Sequence, residues 1–260
     1  MNFLPIAAVL ILILPIVLIA VLIKRVGKRL EFFEYMVLSA GSVLLSILLC
    51  LRLYYWLKGQ SVFDVIWNSI RQAFLHGPVN AGQMLAVYHE WGLFQNFTSA
   101  EQLADFMIGQ IQITVPAIIL LSSLIYGGIL FLLIRLIFKN LSIPAPAVPA
   151  FEDWTLPRRA AVSLILLPAS FLIINMLGIA NVEAAQLAVT VLASFVFSVM
   201  GMSVLGYFLK AGRVPSVLRW LLLILAYALF GFFLTLLGIV DQFLHLRIRY
   251  RNKFRITNGG

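Results

Sequence analysis

Charge is scarce in this sequence. Of its 260 residues 11% are Asp, Glu, Lys or Arg, whereas 62% are hydrophobic, and the mean hydropathy is +1.03. A soluble domain is nearer half apolar with about a quarter of its residues charged, so this chain cannot cover a core with water-facing groups. Cysteine is scarcer still. Cys50 stands alone in an apolar run and excludes a disulfide framework. His76, His89 and His245 are scattered without metal-ligand spacing, so no metal site or cofactor is expected. The chain also lacks a P-loop, a G-x-G-x-x-G after a strand and a G-x-S-x-G. His-E-x-x-H fails because position 93 is Leu. These absences remove the motif-bearing enzyme classes, and the sequence reads as non-enzymatic. The N-terminus has no basic n-region and no small-residue cleavage site, so its first apolar run reads as a retained helix.

What the chain has in quantity is long apolar runs. A membrane-crossing helix needs roughly 20 mostly apolar residues in succession, and six segments qualify: 3–23, 35–57, 113–138, 160–180, 182–209 and 217–240. The fold class expected is therefore an all-α, polytopic transmembrane bundle forming a single membrane domain over 1–260. Pro15, Pro116 and Pro168 fall inside spans and predict kinks. The connection 58–110 is too polar to cross. Within it Phe63, Ile66, Trp67, Ile70 and Phe74 share one helical face, which predicts an interfacial amphipathic helix. Thr98 with Glu101 predicts a capping box that opens a helix into the third span, and Asn96-Phe97-Thr98 is a fortuitous sequon. The alternating prolines of 141–150 predict an extended strap, and 246–260 is a basic tail.

The net charge of +9 comes from 19 Lys and Arg against 10 Asp and Glu. Most of the cations sit at the ends of apolar runs. The lipid bilayer is thus the expected partner, with anionic headgroups at the basic loops, other membrane proteins as a further possibility, and no nucleic acid. Placing the Lys24–Arg29, Lys139–Arg159 and Lys210–Arg219 connections in the cytoplasm, with Arg135, gathers 11 of the 19 cations there. Six spans would then put the arginine-rich tail outside, against the positive-inside rule. Either a re-entrant segment changes the parity or the charge count misleads.

Inside the spans, small and polar residues recur at helical spacing. Glu183, Gln186, Thr190, Ser194 and Ser198 form such a stripe in the fifth span, and Ser39, Ser42, Ser46 and Cys50 one in the second. Weaker sets are Tyr227, Gly231, Thr235 and Gly238, then Gln112, Pro116, Ser123, Tyr126 and Gly127, and Pro168, Asn175 and Gly178. Such stripes either let helices approach and hydrogen-bond or line a cavity for a polar solute. Glu183 is either a buried functional charge or an exposed acid at a helix N-terminus. All five residues of the fifth span are expected to face the interior, since hydrocarbon offers polar atoms no partner. Two functions follow: a small-solute-binding or transport component, or a structural or assembly subunit of a membrane complex.

Two short motifs carry a resemblance. A prolyl strap followed by Phe151-Glu152-Asp153-Trp154-Thr155-Leu156-Pro157 leads directly into a span, and Gly238-Ile239-Val240-Asp241, Phe243 and Arg247 close the apolar part. This pattern resembles the YybS-like family of predicted bacterial membrane proteins, with Trp154, Pro157, Asp241 and Arg247 as its motif residues. The resemblance implies a multi-pass protein of the bacterial cytoplasmic (inner) membrane without an assigned activity. It also implies a weaker, fold-level similarity to the substrate-binding components of energy-coupling-factor transporters. Trp154 is expected at the interface with its indole N–H in water, and Pro157 at or just before a helix's first turn.

Overall fold

The computed structural model describes residues 3–26, 30–77 and 80–250. Lys28 and Arg29 of the first basic loop, and the part of the basic tail from 251 to 260, lie outside the described residues. Among those described there is no strand. The helices are α1 (Phe3–Ala8), α2 (Leu14–Val26), α3 (Phe32–Lys58), α4 (Val62–His76), α5 (Ala81–Glu90), α6 (Ala100–Asn140), α7 (Arg158–Met176), α8 (Glu183–Ala211) and α9 (Ser216–Leu244). Among the described residues six helical stretches are long and apolar enough to cross a membrane. The first comprises α1, a π-helical turn (Val9–Ile13) and α2. Pro15, just beyond that turn, cannot donate a backbone hydrogen bond, and a locally widened helix accommodates the loss.

Two boundaries differ from the sequence expectation. α6 is one unbroken helix of 41 residues from Ala100, not a short helix followed by a span at 113. Gln110 and Gln112 look like a boundary by polarity, yet both lie inside the helix. The capping box is also one residue later. Ser99 Oγ accepts from the Gln102 N–H at 3.3 Å, and Gln102 Oε1 accepts from the Thr98 N–H at 2.8 Å. Ser99 is the residue in extended geometry (φ −138°), so its hydroxyl, not that of Thr98, reaches the third amide of the helix. Residues 143–150 have neither helix nor strand, as alternating prolines dictate.

The chain forms two compact units, Met1–Arg25 with Met36–Ile143, and Val26–Tyr35 with Pro144–Gly260. In the first, Gly127 lies directly against the α3 backbone at Ser39 and Ala40, and Gly128 against the Met36 side chain. Ser39, Ser46 and Cys50 of the α3 stripe are buried. The polar connection contributes a small core of its own, in which Ala81 and Leu85 of α5 meet Leu103 and Ala104 of α6, with Phe74 and Phe97 at its edge. In the second unit α8 and α9 touch backbone to backbone. A Cβ on Gly201 would collide with the Leu234 carbonyl, and one on Gly238 with the Phe197 carbonyl. α9 is bent at Phe230 (φ −130°, ψ 31°) and ends at His245 in left-handed geometry (φ 50°).

A buried arginine clasp as the candidate functional site

Among the described residues the densest polar chemistry surrounds Arg247, in the second unit. Its side chain is 9% exposed and that of its partner Asp241 4%. The left-handed residue His245 ends α9 and turns the following segment back, so that the Arg247 side chain meets Asp241, six residues earlier. Nε and Nη2 both donate to Asp241 Oδ2, at 3.1 and 2.6 Å. Nη1 donates to the Glu152 carbonyl at 2.7 Å and to Ser203 Oγ at 3.0 Å, and Nη2 also to the Trp154 carbonyl at 3.1 Å. A guanidinium has five N–H donors, and all five are engaged. Ser203 in turn donates to the Trp154 carbonyl at 3.2 Å.

Around this centre lies a second tier. The short 3₁₀ turn Phe151–Asp153 carries Glu152, whose Oε1 accepts from Arg219 Nη1 at 2.6 Å and lies 3.7 Å from Lys210 Nζ. Phe151 packs on Trp154 and Trp220, and Phe32 on Trp154, with ring centroids 4.8–5.2 Å apart. One residue type thus ties together the turn after the prolyl strap, the C-terminal third of α8 and both ends of α9. Chemically the site is a lock. Arg247, Asp241, Arg219 and Glu152 each have an opposite charge at hydrogen-bond distance, which is what a buried ion pair needs to offset its desolvation.

The motif residues therefore converge. Trp154, Asp241 and Arg247 meet in one network, and Pro157 is the N-cap of α7, immediately before Arg158. Trp154 departs from expectation in one respect: its indole N–H donates to the Pro149 carbonyl at 3.3 Å instead of to water. The strap folds back close enough to supply that acceptor. Glu152, Ser203 and Arg219 were not identified as site residues from sequence. Their partners are 95, 44 and 67 residues distant in the chain, a separation that no local spacing encodes.

The stripe of the fifth span does not converge in the same way. Ser198 is buried, Gln186 is half-buried, and Glu183, Thr190 and Ser194 are exposed. The buried side of α8 is instead Ala188, Ala193, Val196, Phe197, Met200, Gly201 and Val204. The physical reason is that a hydroxyl in a helix can bond to its own backbone. Ser198 donates to the Phe195 carbonyl, Ser42 to Leu38, Ser46 to Ser42 and Ser123 to Ile119, all at 2.7–2.9 Å. Such side chains need no interior partner and do not dictate which face is covered. Gln186 pairs with Asn175 of α7 at 3.1 Å, and the Ser194 carbonyl accepts from Thr235 at 3.3 Å. Glu183 takes the exposed helix N-terminal position.

The first unit contains a different feature, an open groove of about 620 Å³ between α3, α4 and α6. Leu44, Leu48, Phe63, Trp67, Pro116 and Ile119 line it, and Gln112 is its polar member. Phe63 and Trp67 thereby face α3 and α6, while Phe74 joins the core with α5. Among the described residues no group of three or more His, Cys, Asp and Glu side chains is placed to hold a metal ion.

No curated protein and no solved structure matches the chain, so the fold-level analogy to energy-coupling-factor transporters gains no support. A family model described as predicted membrane protein (DUF2232) matches residues 1–242. That match covers the strap, Trp154, Pro157 and Asp241 and stops just short of Arg247. Together with the six apolar helices, it establishes that the chain belongs to this family of membrane proteins.

Proposed function

We propose that the chain is a non-enzymatic, multi-pass component of the bacterial cytoplasmic membrane that acts as a structural or assembly subunit, with anionic headgroups at its basic ends. The observation that carries this reading is the engagement of all five Arg247 donors by protein acceptors. That guanidinium is committed to internal architecture, and the glycine seam of α8 and α9 leaves no room between those helices. The polar groups left over, Glu183, Thr190 and Ser194, are on an outward face of α8, where another membrane helix could satisfy them. A photo-crosslinking residue at Thr190 or Ser194 should form protein adducts in native membranes, and one at Ile224 on the apolar surface lipid adducts. Lipid adducts alone at all three positions would defeat the assembly reading.

The groove favours a second reading, a small-molecule-binding or transport component. Its volume is within the range of ligand pockets, about 300–1,000 Å³. Its lining is apolar apart from Gln112, so the ligand it suits is hydrocarbon-like, not the polar solute that the sequence stripes imply. Native mass spectrometry of the protein extracted with its lipids separates the readings by what travels with it, a stoichiometric protein or a single retained small molecule.

A further inference from the structure

Ser216–Leu244 has the length and apolarity of a membrane span, but its contacts with α8 trace a different path. Leu223, near the start of α9, lies over Gly206. Thr235, just past the non-helical Phe230, reaches the Ser194 carbonyl, 12 residues towards the start of α8, so the arm that leads there runs antiparallel to α8. The direction then reverses. Gly238 rests on the backbone at Phe197 and Gly201, and Arg247 reaches Ser203. The chain has returned to within three residues of the α8 position over which Leu223 sits. Glu152 marks the return independently: its carboxylate holds Arg219 from the start of α9, and its carbonyl holds Arg247 from beyond the end. A straight helix would separate Arg219 from Leu244 by roughly 37 Å, too far for two arginine side chains to meet on one residue. The reversal is centred on Phe230, where the backbone leaves helical geometry beside Gly231.

The two arms are short. Each has about 14 residues, or roughly 21 Å of helix, against roughly 30 Å of hydrocarbon. The bend itself is built for lipid. Leu229, Phe230, Phe232 and Phe233 are 54–71% exposed, and no charged residue occurs between Arg219 and Asp241. A bend that emerged into water would carry polar side chains. Helical arms keep their backbone bonds internal, so turning inside the bilayer leaves few polar groups to satisfy.

We propose that α9 is a re-entrant hairpin that enters and leaves on one face of the membrane, the face of the α8–α9 turn. Five segments then cross the bilayer instead of six. Arg247 and Arg249 come to the same face as Arg158, Arg159, Lys210 and Arg213. Counted by sequence position, only Arg52, Lys58 and Arg71 of the 19 cations remain for the opposite face. The conflict between the basic tail and the positive-inside rule disappears, and the clasp becomes the closure that holds the two ends of the hairpin together.

Single cysteines placed in a Cys50→Ser background test this by their side of the membrane. Val214→Cys in the α8–α9 turn and Ile248→Cys after the clasp should react with an impermeant maleimide from the same side, in intact spheroplasts and in inverted vesicles alike. Phe232→Cys should react from neither side until the membrane is dissolved. Labelling of Ile248→Cys only from the side opposite to Val214→Cys overturns the proposal. The same holds if Phe232→Cys reacts from water in intact membranes. A double variant, Val214→Cys with Ile248→Cys, gives a readout independent of vesicle orientation. Spin labels at the two sites should lie well under about 40 Å apart, and a separation at or beyond that helix length would also overturn it.

Discussion

The two compact units hold their helices together by different means. The first has one glycine contact, Gly127 on the α3 backbone, but otherwise relies on side chains: aliphatic and aromatic groups from α4, α5 and α6 form a small core, and an open groove remains between α3, α4 and α6. The second relies on backbone contact and charge, with glycines that let α8 and α9 touch and an arginine that binds two carbonyls of the turn at 152–154. Apolar packing tolerates a vacancy, because a neighbouring side chain or a lipid tail can fill it. A buried guanidinium tolerates none, because each missing acceptor leaves a desolvated donor. The second unit should therefore respond more sharply to single substitutions.

The largest effect expected is at the clasp. Arg247→Met should cost about 3–5 kcal/mol, since it leaves Asp241 buried without its partner, and thermal unfolding in detergent would register it. Adding Asp241→Leu to that variant should restore much of the loss, because the stranded charge disappears with it. If the double variant is no more stable than Arg247→Met, the ion pair is not what the site depends on. In the first unit the corresponding change, Leu103→Ala, should cost roughly 2–4 kcal/mol through the cavity it opens in a fully buried position. A loss there equal to that of Arg247→Met would remove the contrast between the units.

Next in size is the glycine seam. Gly238→Ala should cost about 1–3 kcal/mol or more, because the added methyl group meets a backbone carbonyl that cannot rotate away. Gly231→Ala, where a Cβ meets nothing, should unfold within about 0.5 kcal/mol of the parent. Similar melting temperatures for the two variants would mean that α8 and α9 are not in backbone contact. The smallest effects separate two serines of one stripe. Ser198→Leu should destabilise by about 1–3 kcal/mol, since the position is filled. Ser194→Leu should leave stability nearly unchanged, and in native membranes it should instead weaken any association made through that outward face of α8.

Much of this architecture is legible in the sequence because the bilayer imposes it. Apolar length identifies the helices, and Pro157 sits at the N-cap of α7, where its missing N–H costs nothing, while Pro116 and Pro168 lie inside α6 and α7. The spacing of Phe63, Trp67 and Phe74 predicts the amphipathic α4. The Trp154, Asp241 and Arg247 motif residues are also visible, though as isolated marks. Their convergence is not, because Arg247 finds acceptors 44 to 95 residues away, and a helix reversal has to bring it there. That reversal rests on the backbone angles of Phe230 beside Gly231, a pair whose apolarity reads simply as continuing span. The polar stripe of α8 misleads for a related reason. Periodicity reports that Thr190, Ser194 and Ser198 share a side, but serine and threonine bond to their own helix and so do not reveal which side is covered.

α6 has mechanical consequences of its own. Its 41 residues make a rod of roughly 61 Å, about twice the hydrocarbon thickness. About half of it exceeds what an upright crossing of the hydrocarbon needs, and its free end carries the α5 core. Pro116 removes the backbone bond that would otherwise tie it to the Gln112 carbonyl, at the wall of the groove. The rod thus has a weak point about 16 residues from its tip. A tilt of about 10° there would move Ala100 sideways by about 4 Å, so a change of shape at the groove wall would be carried to the α5 core at the far end of the rod.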